Sequence, residues 1–343
     1  GASARPHPPP QKDGNPRGAS SPWRSLRRSL KVLPFEHTNC IEGKGAYLKQ
    51  PIFRGAGVAI ITPMHPDGSI HYEELGKLID DQIQRGTDAI VICGTTGESA
   101  CMTDQEHVDC IAYAVKRVNK RVPVVAGAGS NDTAYACELS REAQRLGADA
   151  LLQVTPYYNK TSQRGLIAHF TKIADASELP VILYSVASRT GVNILPETCK
   201  ILSEHPRIAA IKEASGNISQ IAQIRALCGD ALQVYSGNDD QIVPILSLGG
   251  AGVISVLSNV MPQETHDICQ KFFDGDITGA AALQLRLLEL TNALFMDVNP
   301  VPVKAAMNLL GWNAGPCRLP LVDLTSEQTE RLRAVMSRAG LSV

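Results

Sequence analysis

Ile208-Ala209-Ala210-Ile211-Lys212-Glu213-Ala214-Ser215-Gly216 runs from four apolar residues straight into a lysine, a glutamate and a Ser-Gly turn. An unbroken apolar run of this length suits a strand covered on both faces, as in a parallel sheet packed under helices. Outward from it the pattern recurs, at Val58–Thr62, Ala89–Cys93, Val122–Ala126, Ala150–Val154, Val181–Tyr184, Leu232–Tyr235 and Val253–Val256. With Ile208–Ile211 these make eight runs, spaced by about 20 to 35 residues, the size of one βα unit. The stretches between them carry helix signals. Thr103-Asp104-Gln105-Glu106 is a capping box ahead of Ile111, Val115 and Val118. Asn131-Asp132-Thr133 opens a helix that Gly147 closes, and Ser162 opens another ending near Ser177.

Eight such units predict an α/β chain folded as a closed (β/α)8 TIM barrel. An open doubly wound sheet has fewer strands and often a phosphate fingerprint after the first; Gly127-Ala128-Gly129 reads as a tight turn instead. Further helical segments follow at Gln263–Phe273, Thr278–Leu294, Val301–Leu310 and Ser326–Ala339. One completes the barrel and the rest predict a small C-terminal helical domain. The expected division is a catalytic barrel over 48–276 and a helical region over 277–343. Residues 1–47, rich in Pro, Gly, Ser and Arg with few acids, predict a disordered leader or tag, the alternative being an organelle transit peptide.

The net charge of −1 and pI near 6.8 give no reason to expect a nucleic-acid or membrane-surface partner. No apolar run approaches the roughly 20 residues of a membrane span. Nine cysteines lie apart without CxxC spacing, and the eight histidines are scattered, so we expect buried free thiols, a cytoplasmic setting, no metal and no cofactor.

In a TIM barrel the chemistry sits where strands end. Lys212 is costly among barrel side chains unless it is paired, with Glu213 or Asp239, or kept neutral for use as a nucleophile. An ordinary lysine amine is neutral in about one molecule of 2,500 at pH 7, so an imine-forming lysine needs desolvation to free its lone pair. Imine chemistry also needs proton transfer, and hydroxyls relay protons without adding charge. Tyr184, Thr95 and Tyr158 supply three, at three strand ends. Gly94-Thr95-Thr96-Gly97 offers backbone N–H groups for a carboxylate, and Arg189 offers a bidentate grip for a second one. Each residue has a plainer reading, as a lip tyrosine, a capping threonine or a surface ion pair.

Taken together, Gly94-Thr95-Thr96-Gly97-Glu98-Ser99, Thr155-Pro156-Tyr157-Tyr158-Asn159, Ser188-Arg189-Thr190-Gly191, Ile211-Lys212-Glu213-Ala214 and Asn299-Pro300-Val301-Pro302-Val303-Lys304 give the chain a family likeness. From about Pro51 to Leu341 it resembles the 4-hydroxy-tetrahydrodipicolinate synthase (dihydrodipicolinate synthase) family, within the N-acetylneuraminate lyase superfamily of class I pyruvate aldolases. The resemblance implies a lyase that condenses pyruvate with L-aspartate-4-semialdehyde, for diaminopimelate and lysine biosynthesis, through a Schiff base on Lys212. It implies a relay of Tyr184, Thr95 and a neighbouring subunit's copy of Tyr158, in a homotetramer built as a dimer of dimers. It gives Thr96 the pyruvate carboxylate, Arg189 with Gly191 the semialdehyde carboxylate, and Ile254 a backbone carbonyl near the lysine. Sialic-acid or keto-deoxy sugar-acid aldolases are the alternative enzymes, and a non-catalytic pyruvate-binding barrel the alternative of another class.

Two departures from the family pattern carry expectations. The family commonly has Tyr-Asn-Val-Pro where this chain has Tyr184-Ser185-Val186-Ala187, which loosens the expected placement of Arg189. Lysine-inhibited relatives set a His and a Glu beside the residue matching Tyr157; the matching residues here are Asp104 and Tyr135, with Asn131 kept. The resemblance therefore implies weak or absent inhibition by lysine.

Overall fold

Gly55–Ala59 (β1), Ala89–Ile92 (β2), Val124–Gly127 (β3), Ala150–Val154 (β4), Val181–Ser185 (β5), Ile208–Glu213 (β6), Gln233–Ser236 (β7) and Gly252–Ser255 (β8) pair in parallel and in chain order, and β8 closes onto β1. The computed structural model describes residues 48–343, which fall within one compact unit; the expectation for residues 1–47 lies outside the described residues.

Helices return the chain between strands: Tyr72–Gln84 (α1), Asp104–Val118 (α2), Thr133–Leu146 (α3), Gln163–Ala174 (α4), the single turn Ala187–Thr190 (α5), Pro196–Ser203 (α6), Ile218–Cys228 (α7), Ile242–Ser247 (α8) and Pro262–Phe273 (α9). Beyond 276 come Ile277–Arg286 (α10), Leu288–Ala293 (α11), Val301–Leu309 (α12) and Ser326–Arg338 (α13), with no strand among them. The long helix expected over Thr278–Leu294 is two helices that break at Leu287. The cap signals hold: Thr103 and Glu106 form the capping box, Asp132 caps α3 with Gly147 at its far end, and Ser162 caps α4.

The first strand starts three residues earlier than expected. Gly55-Ala56-Gly57 lacks the bulky residues that mark a strand, yet close approach requires them to be small. Gly55 pairs with Gly252 at the seam of the barrel, and a Cβ on Gly252 would stand 1.9 Å from the Gly55 carbonyl oxygen.

Alternation along each strand sorts side chains into two apolar layers. One, between strands and helices, takes residues such as Ile90, Leu183, Ile211 and Val234. The other fills the barrel itself with Phe53, Val91, Leu152, Ile182, Ala210, Tyr235 and Ile254. Ala210 faces inward, so Lys212 two residues on does as well, and Glu213 points out beneath α7. Among the described residues no helix is long and apolar enough to cross a membrane, and the eight cysteines there are free, six of them buried.

Candidate active site

Lys212 lies inside β6 rather than after it, as the next-to-last residue of the strand. The register sets Tyr184 of β5 beside it on one side and Tyr235 of β7 on the other. Its Nζ stands 4.2 Å from the centroid of the Tyr184 ring, a cation–π contact inside the barrel mouth. Lys212 is 6% exposed and Tyr184 7%. Neither the amine nor the Tyr184 hydroxyl has a hydrogen-bond partner among the described residues, and Lys212 joins none of the ion pairs found there.

Both pairings considered from the sequence are absent. Glu213 faces the opposite side of the sheet, where Ser215 N–H donates to Oε1 (2.7 Å) and Gln220 Nε2 to Oε2 (3.0 Å); burial pushes its carboxyl upward. Asp239 is buried at the exit of β7, and its Oδ2 accepts the N–H groups of Val256 (3.0 Å) and Leu257 (2.9 Å). Burial raises its pKa too, while the charge of Lys212 opposes that shift. Asp239 is thus near enough to be felt but is occupied in fixing the end of β8.

The turn after β2 supplies the next wall. Cys93 (φ 56°) and Glu98 (φ 58°) are left-handed, and such strain in non-glycine residues gathers where function fixes the backbone. Within the turn, Gly97 N–H donates to Gly94 O and Glu98 N–H to Thr95 O, while the N–H groups of Thr95 and Thr96 donate to nothing among the described residues. These unspent donors are what a carboxylate needs. Thr95 is half-buried with its hydroxyl unpartnered among the described residues, and Thr96 is buried, its Oγ1 accepting from Asn299 Nδ2 at 3.0 Å.

Arg189 sits in the single turn α5 and donates through Nη2 to the backbone oxygen of Asn299 at 3.2 Å. Gly191 ends that turn with φ 70°, and a side chain there would crowd Lys160 Cε at 2.8 Å. Ile254 lines the barrel from β8, opposite Gly57 of β1. Tyr158 is not brought to Lys212: it is 93% exposed, left-handed (φ 67°) and without a hydrogen bond. Asp104 and Tyr135 do meet, the Tyr135 hydroxyl donating to Oδ1 at 2.8 Å, and burial together with that carboxylate pushes the phenol up to about 12. Asn131 Nδ2 donates to Tyr157 O at 3.1 Å.

Two features went unread in the sequence. Asn299 reaches Thr96 with its side chain and Arg189 with its carbonyl, although it is 203 residues from the first. Lys304, at the end of the same motif, forms a fully buried ion pair with Glu98 at 2.8 Å. The signal for both was a run of six matching family residues that no barrel argument required.

Comparison with known proteins places the barrel in a family. The model of the dihydrodipicolinate synthetase family matches residues 52–339. The chain belongs to that family. It is 55% identical to the 4-hydroxy-tetrahydrodipicolinate synthase of Caldicellulosiruptor saccharolyticus over 293 residues, 85% of this chain and 99% of that protein. It is 53% identical to the enzyme of that name from Acetivibrio thermocellus, over 86% of this chain and all of the relative. The crystal structure of dihydrodipicolinate synthase from Aquifex aeolicus superposes with a TM-score of 0.82 at 42% identity, covering 84% of this chain and 99% of the other. The Acinetobacter baumannii enzyme, solved complexed with pyruvate, gives 0.83 at 40% identity, again covering 84% and 99%.

Proposed function

We propose that this protein catalyses the 4-hydroxy-tetrahydrodipicolinate synthase reaction, condensing pyruvate with L-aspartate-4-semialdehyde through a Schiff base on Lys212. The observation that carries the reading is a buried strand lysine with no ion pair and no hydrogen bond among the described residues, set against the ring of a tyrosine whose hydroxyl is equally unspent there. The amine adds to the C2 ketone of pyruvate, water leaves, and loss of a methyl proton gives an enamine whose carbon attacks the aldehyde. Tyr184 and Thr95 are assigned to the proton transfers, completed by Tyr158 of a neighbouring subunit; its exposure and strained backbone suit a residue that acts outside its own barrel. We assign the pyruvate carboxylate to Thr96 and the free N–H groups of Thr95 and Thr96, the semialdehyde carboxylate to Arg189 and Gly191, and a carbonyl near the imine to Ile254. The Tyr158 assignment requires at least a dimer, the family resemblance extends it to a homotetramer built as a dimer of dimers, and free thiols suit a cytoplasmic setting.

The direct test is an assay of the purified protein with pyruvate and aspartate semialdehyde, set against cleavage of sialic acid and keto-deoxy sugar acids. Turnover confined to the first pair is expected; cleavage of the sugar acids instead would assign the chain to another aldolase. With Tyr135 bonded to Asp104, no carboxylate at position 135 awaits an effector ammonium, so lysine at micromolar concentration is expected to leave turnover unchanged.

A further inference from the structure

The loop carrying Arg189 lacks the proline and asparagine common in the family, yet it is tied down through residues of its own. Ser185, the last residue of β5, is fully buried; its Oγ accepts Ile194 N–H (3.2 Å) and donates to Asn193 Oδ1 (3.2 Å). Asn193 and Gln220 of α7 then exchange amide hydrogen bonds, Asn193 Nδ2 to Gln220 Oε1 (2.7 Å) and Gln220 Nε2 to Asn193 Oδ1 (3.2 Å). Gln220 Nε2 also donates to Glu213 Oε2 at 3.0 Å, and Glu213 adjoins Lys212 in sequence. From the other side Gln163 of α4 grips the same segment, donating to Asn193 O (2.8 Å) and accepting from Leu195 N–H (3.2 Å). Asn193 Oδ1 thus accepts from both Ser185 Oγ and Gln220 Nε2 while its Nδ2 donates to Gln220 Oε1, so both ends of the amide are held.

We propose that Asn193, held between Ser185 and the Gln220–Glu213 pair, is a positioning residue for the second substrate: it fixes the returning arm of the loop and thereby the aim of Arg189. The proposal rests on the assignment of Arg189 to the semialdehyde carboxylate. The turn itself is fixed separately, by Thr190 Oγ1 next to Arg189, which accepts from Thr155 Oγ1 (2.9 Å) and donates to Val192 O (3.1 Å). Thr190 adjoins Arg189 and Asn193 lies four residues beyond it, so the backbone that carries the guanidinium is tied at both points. The pyruvate side is carried by other elements, Lys212 by β6 and Thr95 and Thr96 by the β2 turn.

The test is a double-mutant cycle of Asn193→Ala and Arg189→Ala, reading KM for both substrates and borohydride trapping of pyruvate in each variant. Asn193→Ala is expected to raise KM for aspartate semialdehyde about tenfold, leaving KM for pyruvate and the trapping yield as they were. In the Arg189→Ala background the same change is expected to raise it less than about twofold, because its effect passes through the arginine. Equal losses for both substrates, or full additivity in the double variant, would overturn the proposal and make Asn193 merely structural. An Arg189→Ala variant with unchanged KM for the semialdehyde would instead sink the assignment of Arg189 itself. Should Asn193→Ala fail to fold, Ser185→Ala removes the two hydrogen bonds to Asn193 and Ile194 and is expected to show the same substrate selectivity at about threefold.

Discussion

Among the described residues two lysines are buried, and their surroundings are opposite. Lys304 is 1% exposed; its ammonium donates to Glu98 Oε1 (2.8 Å) and Pro316 O (2.6 Å), while Glu98 Oε2 accepts Arg318 N–H (3.0 Å). Every strong partner there is taken. Lys212, at 6%, meets an aromatic face and has no hydrogen bond or ion pair among the described residues. A charge buried for architecture is surrounded until it is satisfied, and one held for chemistry is left unsatisfied until substrate arrives. The two sites are also joined. The ion pair pins α12 to the β2 turn, and Asn299, just ahead of α12, touches Thr96 in that turn.

The widest separation is expected from replacing each lysine by methionine. Lys212→Met is expected to lower turnover at least about ten-thousand-fold, since no other residue supplies the amine. Its unfolding free energy, measured in urea, is expected to stay the same or rise by about 1 kcal/mol, as an unpaired buried charge is removed. Lys304→Met should do the reverse to stability, costing about 3–5 kcal/mol by leaving the buried Glu98 carboxylate without its countercharge. A Lys212→Met variant as unstable as Lys304→Met would erase the distinction. Next in size, Tyr184→Phe is expected to lower kcat about a hundredfold with stability changed by less than about 1 kcal/mol, because the hydroxyl makes no hydrogen bond in the resting protein.

The smallest effect concerns the outer edge of the Lys304 region. There Arg318 holds the Glu106 carboxyl down to about 2, aided by the Thr103 N–H. A carboxyl lowered in the folded state stabilises the fold above its unfolded pKa near 4.5, and that contribution is lost as pH falls toward 2. Arg318→Ala is therefore expected to raise the acid-unfolding midpoint, followed by circular dichroism, by a few tenths of a pH unit, a modest shift because Glu106 is largely solvated. An unchanged midpoint would show that solvent already screens the pair.

Much of this was legible because periodicity and caps are local. Ala150–Val154 reads from its apolar run alone, and the Thr103 capping box from four residues. The start of β1 was missed since its glycines serve close approach at the seam rather than strand propensity. The possible pairing of Lys212 with Glu213 falls on one fact, that β6 runs on through Glu213, so alternation sends neighbouring side chains to opposite faces. What no local pattern offers is a contact across the chain. Lys304 is 206 residues from Glu98, and Asn193 is 27 from Gln220. Those pairs become visible only when the barrel brings the strand ends together.

The central claim is that Lys212, and not Lys304, is the reactive amine. Borohydride reduction in the presence of pyruvate, followed by proteolysis and mass mapping of the peptides, tests it most directly. The account predicts a carboxyethyl adduct on the peptide containing Lys212, with the Lys304 peptide unmodified; an unmodified Lys212 while pyruvate is bound, or an adduct on another lysine, would contradict it.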